Sequence, residues 1–281
     1  MMTDKTYDYI IYSASLAGVL TAIDLSKKGN SVLLLNFYGF TGGSITESLN
    51  CYQFAEVKSL SATAKNLFEN IINSKHGILY RSENEFVFNP ETLKMILQEE
   101  IKNSNFDLLF HIVPFYLKQR EDHVEFSVTG KEGIFNVKGK IIIDASDEYD
   151  LLKLENVKRS VKEIYYNLFL TGMKGDKWQS FEHLNKFIKL DDNRYWASLK
   201  IPKPENDFFI ENASQKILNQ FEEAVQKNEG RVQLIAPQSQ KIYEVDKLKI
   251  SEKIYHINSK FNKVFSAQEK FKECSEILIY F

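Results

Sequence analysis

The chain has 281 residues, 43% hydrophobic and 13% aromatic, enough for one large α/β domain or two modest ones with a sizeable core. A formal net charge of -2 excludes a global field that would draw it to nucleic acid or to an anionic membrane surface. No run of about eighteen apolar residues occurs, so no transmembrane helix is expected, and the first apolar run, Tyr7 to Tyr12, is too short for a signal-peptide core. The two cysteines, Cys51 and Cys274, lie far apart and fit no metal spacing. A reduced, cytoplasmic protein with buried structural thiols is the expectation.

Tyr7 to Tyr12 predicts a strand buried on both faces, followed by a helix carrying Leu16, Val19, Leu20, Ile23 and Leu25. Gly29 after Lys27 and Lys28 marks the helix end, and Ser31 to Leu35 predicts a second strand. Two strands joined by one helix make a right-handed parallel crossover. A glycine-bearing loop, FYGFTGGSITESLNC, comes next, and residues 57 to 75 have helical spacing. A third helix is well marked: Asn89 caps it, Pro90 takes its first position, and Leu93, Ile96, Leu97 and Ile101 share a face.

Strands are predicted at Asp107 to Val113, Tyr116 to Lys118, Val124 to Thr129, Ile134 to Val137 and Lys140 to Asp144. The middle ones alternate, which implies an antiparallel meander inserted before the chain returns to the parallel sheet. From about Leu151 the pattern changes: strands near Tyr165 to Gly172 and Tyr195 to Ile201 flank a predicted helix at 178 to 189. A strong helix over about 211 to 228, a strand at 231 to 235 and a segment around Ile242 to Ile257 complete a smaller α+β region. The division expected is therefore residues 1–155 as a Rossmann-like domain and 156–281 as a second domain.

The turn after the first strand lies where a dinucleotide-binding unit carries G-x-G-x-x-G. Here it reads Ser13-Ala14-Ser15-Leu16-Ala17-Gly18. The first glycine of such a turn permits the bend, the second lets backbone amides approach a pyrophosphate, and the third allows close helix packing. Gly18 keeps the third. A serine side chain at the second position occupies space a phosphate needs, although its hydroxyl is able to donate to one at the helix N-terminus. Asn36 ends the second strand, about twenty residues on, where an acid for ribose hydroxyls is expected. It retains hydrogen bonding without charge, or simply ends the strand.

The run LLLNFYGFTGGSITESLN resembles the region after the second strand in FAD-dependent oxidoreductases with a glutathione-reductase-like Rossmann fold. FNPETLKMILQEEIKNSNFDLLFHIVPFYLK is similar to that family's helix and adenine-side strand. KGKIIIDASDEYDLL is similar to its returning strand, which usually ends Asp-Ala-Thr-Gly-Asp. The likeness spans about residues 7 to 155, and continues more weakly to about 245 through RVQLIAPQSQKIYEV. It implies an α/β fold: a Rossmann-like FAD/NAD(P)-binding domain with a parallel sheet and β-meander insertion, plus a smaller α+β domain.

The resemblance also implies FAD as cofactor, with contacts at Ser13, Ser15, Gly18, Asn36, Gly42, Gly43 and Ser44. Val113 would present its backbone to the adenine, and Ala145 and Ser146 would sit near the pyrophosphate. The departures run one way: two glycines are serine, the acid is Asn36, and the glycine expected after Ser146 is Asp147. An aspartate beside a pyrophosphate costs on the order of 1 kcal/mol even when screened. The family's segment that closes over the flavin is expected to be missing at SEILIYF, so either a homo-oligomer or a partner chain supplies it, or the protein no longer holds flavin.

Nothing in the chain names a catalytic acid, base or nucleophile. The five histidines show no metal spacing, and His111 reads as a structural histidine within a strand. No G-x-S-x-G elbow occurs, and Cys51 lacks a C-x-x-C partner. The carboxylates Asp144, Asp147, Glu148 and Asp150 read as solvated, and Lys247 to Lys253 as a solvated face. Tyr165, Tyr166, Phe169, Trp178 and Trp196 read as core of the second domain. Two functions stay open: an FAD-dependent oxidoreductase with a weakened dinucleotide site, and a non-catalytic member or subunit of the same family.

Overall fold

The computed structural model describes residues 5–54, 61–155, 159–174, 180–245, 254–258 and 263–265. Strand β1 (Thr6–Tyr12) lies between β2 (Val32–Leu35) and β9 (Gly133–Asp144), parallel to β2 and to the second half of β9. β2 pairs in parallel with β6 (Asp107–Leu109), and β9 with β15 (Ile254–Asn258), which carries β16 (Lys263–Phe265) on its outer edge. The sheet order is therefore β16-β15-β9-β1-β2-β6, and it draws on residues well beyond 155. β2 is buried along its whole length, which explains its unbroken apolar sequence.

Each face of this sheet has its own cover. Ile11 and Leu34 face α1 (Leu16–Lys27), while Ile10, Tyr12, Leu33 and Leu35 face the opposite way, onto Phe126, Val128 and Val137. The second cover is the meander β7 (Val113–Gln119), β8 (Val124–Gly130) and β9. The predicted strands 134–137 and 140–144 form one strand, antiparallel to β8 in its first half and parallel to β1 in its second. Gly139 makes this continuity possible: a Cβ there would stand 2.8 Å from Ile10 Cγ1. Burying a side chain such as Phe126 completely contributes about 1.5–3 kcal/mol.

Helix α1 is buried nearly all round because α3 (Ala62–Asn73) and α4 (Pro90–Lys102) pack over it. Asn89 caps α4 through the Glu91 and Thr92 amides, with Pro90 in the first turn, as its sequence dictates. α3 starts later than the spacing predicts, capped by Ser61; residues 57–60 lie outside those described. A short helix α2 (Ser44–Glu47) follows the glycine loop. β3 (Tyr52–Phe54), β4 (Ile78–Arg81) and β5 (Glu85–Phe88) make a small sheet beside it.

The remaining chain builds a five-stranded sheet from β10 (Arg159–Thr171), β11 (Leu184–Lys189), β12 (Arg194–Ile201), β13 (Arg231–Ile235) and β14 (Gln240–Val245). Helix α5 (Ile210–Lys227) lies on it through Ile217, Leu218, Phe221 and Val225, the face its periodicity predicts. The helix expected at 178 to 189 is corrected: residues 184–189 are strand, because β12 offers an antiparallel partner from Leu184↔Leu199 to Lys189↔Tyr195. Sheet pairing overrides a short ambiguous period. Trp196 Nε1–H donates to Leu49 O at 2.9 Å and Asn167 Nδ2 to Ser48 O at 2.8 Å, fastening this sheet to the segment after α2.

Two further expectations change. The strand predicted from Asp107 to Val113 breaks at His111, whose φ is +58°, so His111 stands between β6 and β7 rather than within a strand. Of the segment Ile242 to Ile257, residues 246–253 lie outside those described, as do Trp178, Cys274 and the SEILIYF end. Among the described residues no helix is long and apolar enough to cross a membrane.

Candidate functional site

A cavity of about 360 Å³ opens at the carboxyl ends of β1, β2 and β9, where open α/β sheets place their ligands. Ser13, Asn36, Ser44, Val113 and Ser146, five of the ten residues singled out in the sequence, line it directly. The other five stand behind that wall and shape it.

The turn keeps a glycine's geometry without its glycines. Ser13 takes φ +80°, a left-handed conformation that costs an L-residue roughly 1–2 kcal/mol. Ser15 caps α1: its Oγ accepts from Gly18 N–H at 3.1 Å and donates to Ala145 O at 2.7 Å. Gly18 is irreplaceable, since a Cβ there would come within 2.1 Å of Ser13 O. Ala145 N–H donates to Tyr12 O at 2.8 Å, which draws the returning strand against the turn.

Asn36 is buried, 2% exposed, and its carboxamide is fully bonded. Oδ1 accepts from Ala14 N–H at 2.8 Å, and Nδ2 donates to Tyr38 O at 3.0 Å and Phe40 O at 2.7 Å. Asn36 therefore clamps the turn to the glycine loop. That loop approaches closely: Gly42 N–H donates to Ala14 O at 2.8 Å, and Gly42 and Gly43 have φ of +115° and +57°. A Cβ on Gly43 would lie 2.7 Å from Ser15 Cβ and 3.2 Å from Asp147 Oδ2. Ser44 N–H donates to that same Asp147 oxygen at 2.9 Å.

The carboxylates expected to be solvated are in part buried. Asp144 is 1% exposed, accepts from Ser146 N–H and Oγ–H at 2.9 and 2.6 Å, and accepts from Leu151 N–H at 2.9 Å. It organises the loop that delivers Asp147, Glu148 and Asp150 to the cavity. Facing them is Glu47 on α2, a wall residue the sequence reading missed. No local motif marks Glu47, because its neighbours lie about a hundred positions away and only the fold joins them.

The electrostatics follow from this crowding. Burial, reinforced by Asp147, Asp150 and Glu148, pushes the Glu47 carboxyl up to about 8. Burial with Asp144 and Glu148 pushes Asp150 to about 6, against the pull of Arg159 and Lys153, each 3.7 Å away. Arg159 also lies over the Tyr243 ring, 4.2 Å from its centroid, and Tyr243 Oη–H donates to Glu148 at 3.2 Å. Tyr38 is raised to about 12, by burial and then by Glu47, and its hydroxyl donates to Gln238 at 2.5 Å. Among the described residues, four carboxyl groups line the cavity against the two lysines Lys153 and Lys241.

Cys51 is fully buried with its thiol pushed up by burial, as expected of an inert thiol. Among the described residues no group of three or more His, Cys, Asp or Glu side chains is arranged to hold a metal ion.

The folded frame matches known proteins at low sequence identity. p-Nitrophenol 4-monooxygenase from Pseudomonas putida superimposes with a TM-score of 0.65 at 10% identity, over 90% of this chain and 72% of that one. A geranylgeranyl bacteriochlorophyll reductase-like protein from Thermoplasma acidophilum gives 0.64 at 12%, over 90% and 70%. Aklavinone-11 hydroxylase, solved with FAD and aklavinone, gives 0.63 at 11%, over 91% of this chain and 57% of that one. Identities this low establish a shared fold, and the chain spans little more than half of the hydroxylase. No curated protein matches the sequence. The family model of FAD-dependent oxidoreductases, however, matches residues 8–270, a span that takes in the turn, the meander and the second sheet, and the chain belongs to that family.

Proposed function

We propose that this protein is an FAD-dependent oxidoreductase relative with a weakened dinucleotide site, and that it acts as a non-catalytic member of its family. The observation that carries the reading is the acidic wall. Glu47, Asp147, Glu148 and Asp150 line the cavity at the strand ends, where a dinucleotide's pyrophosphate would lie; among the described residues the cations lining it are Lys153 and Lys241, with Arg159 3.7 Å from Asp150 behind them. The Glu47 and Asp150 carboxyls, raised first by burial and then by their neighbouring carboxylates, support it, because a further anion would enter a site already poor in solvent and crowded with like charge. A pyrophosphate brought to this wall meets repulsion in a partly desolvated site, where screening is weakest.

The remaining residues of the frame point the same way. Asn36 has no carboxamide hydrogen left for a ribose hydroxyl, because both go to Tyr38 O and Phe40 O. The Ser15 hydroxyl is engaged by Gly18 and Ala145, so it does not replace the amide approach that a glycine would allow. The residues present do not fit the cofactor, and no chemical step is assigned to it. The likeness of fold to flavin enzymes carries no activity by itself.

The test is spectroscopic. Protein purified under native conditions, then dialysed against excess FAD and desalted, is expected to show no flavin absorbance near the visible maxima. A stoichiometric flavin spectrum surviving desalting would sink the reading.

A further inference from the structure

We propose that the Asp147 carboxylate is a built-in occupant of the phosphate seat, so that the site is closed by a contact within the chain rather than merely eroded. The proposal rests on the weakened-site reading above and names its main cause. Four backbone amides of the turn and the glycine loop each already have an acceptor from the chain, and of these four residues Ser44 lines the cavity. Ala14 N–H donates to Asn36 Oδ1, Gly18 N–H to Ser15 Oγ, Gly42 N–H to Ala14 O, and Ser44 N–H to Asp147 Oδ2.

These contacts differ in what depends on them. Asn36 makes three bonds that join turn to loop, Ser15 ties α1 to the returning strand, and the Gly42 bond is part of the backbone itself. Asp147 reaches Ser44 from across the cleft with a charged oxygen, as a phosphate oxygen would. That oxygen also sits 3.2 Å from the Cβ position of Gly43, in the gap that a residue without a side chain would leave. An incoming phosphate must displace this oxygen and then remain beside its charge. Removing the side chain frees an amide donor, lifts one negative charge and opens space, without touching the Asn36 or Ser15 clamps.

The test is FAD titration, followed by quenching of flavin fluorescence, on the wild-type chain, Asp147→Gly and Asp147→Asn, with melting curves for all three. Asp147→Gly is expected to bind FAD about tenfold more tightly than wild type, from one hydrogen bond and one charge. Asp147→Asn, which drops the charge but still fills the gap, is expected to gain less, about threefold. No gain in a variant that melts like wild type would overturn the proposal and leave the weakened-site reading standing. If Asp147→Gly does not fold, an unchanged affinity in Asp147→Asn overturns it equally. Tight FAD binding by the wild type itself would instead remove the reading on which the proposal rests.

Discussion

Ser15 and Ala145 are joined by a 2.7 Å hydrogen bond, so the second position of the turn holds the returning strand as well as capping its own helix. A glycine at this position would still cap, at a cost of a few tenths of a kcal/mol, but it would release the strand. Ser15→Gly is therefore expected to destabilise the protein by about 1 kcal/mol, read from the urea midpoint at unchanged slope. The change that most restores the sequence motif weakens the fold.

Ser13 behaves oppositely. Its φ of +80° is a glycine's conformation carried by a serine. Ser13→Gly removes the left-handed penalty, partly offset by the entropy of a more flexible unfolded chain. A net gain of about 0.5–1 kcal/mol is expected in the same unfolding measurement.

Asn36→Asp would reinstate the acid typical of the family at the end of β2. The carboxylate keeps the bond from Ala14 N–H, yet it loses both donors to Tyr38 O and Phe40 O and faces those carbonyls with charge. In a site 2% exposed this is expected to cost about 2–3 kcal/mol, seen as a lowered melting temperature without any gain in FAD affinity.

Glu47 makes stability depend on pH with a defined sign. Its carboxyl is raised from an ordinary 4.5 to about 8, so between these values the folded state binds more protons than the unfolded state. Stability thus falls as pH rises from about 4.5 to about 8, then levels; Asp150, raised from 3.8 to about 6, acts in the same direction over a lower window. Glu47→Gln abolishes the larger part of this slope. Its melting temperature is expected to match wild type near pH 4.5 and to exceed it by on the order of 2–4 °C at pH 8.5. Equal differences at both pH values would show that the Glu47 carboxyl ionises in the folded protein as it does in the unfolded chain.

Local rules made much of the frame legible. The continuous apolar runs of β1 and β2, the Asn89-Pro90 start of α4 and the alternation of β8 each specify their own conformation. Less was legible where partners are distant. Leu184 to Lys189 is a strand because β12 lies beside it, and the break at His111 exists because the chain leaves the parallel sheet for the meander there. The wall of the site was least legible of all. Glu47 meets Asp147, Glu148 and Asp150 only after the glycine loop folds over the turn, and the three bonds of Asn36 exist only in that folded loop.

Isothermal titration of the wild-type protein with FAD at pH 7.5 measures how poorly this dinucleotide site holds its cofactor. No saturable heat is expected at micromolar concentrations, corresponding to a Kd weaker than about 0.1 mM, or roughly 5–6 kcal/mol of binding free energy. A stoichiometric transition with submicromolar Kd would contradict it.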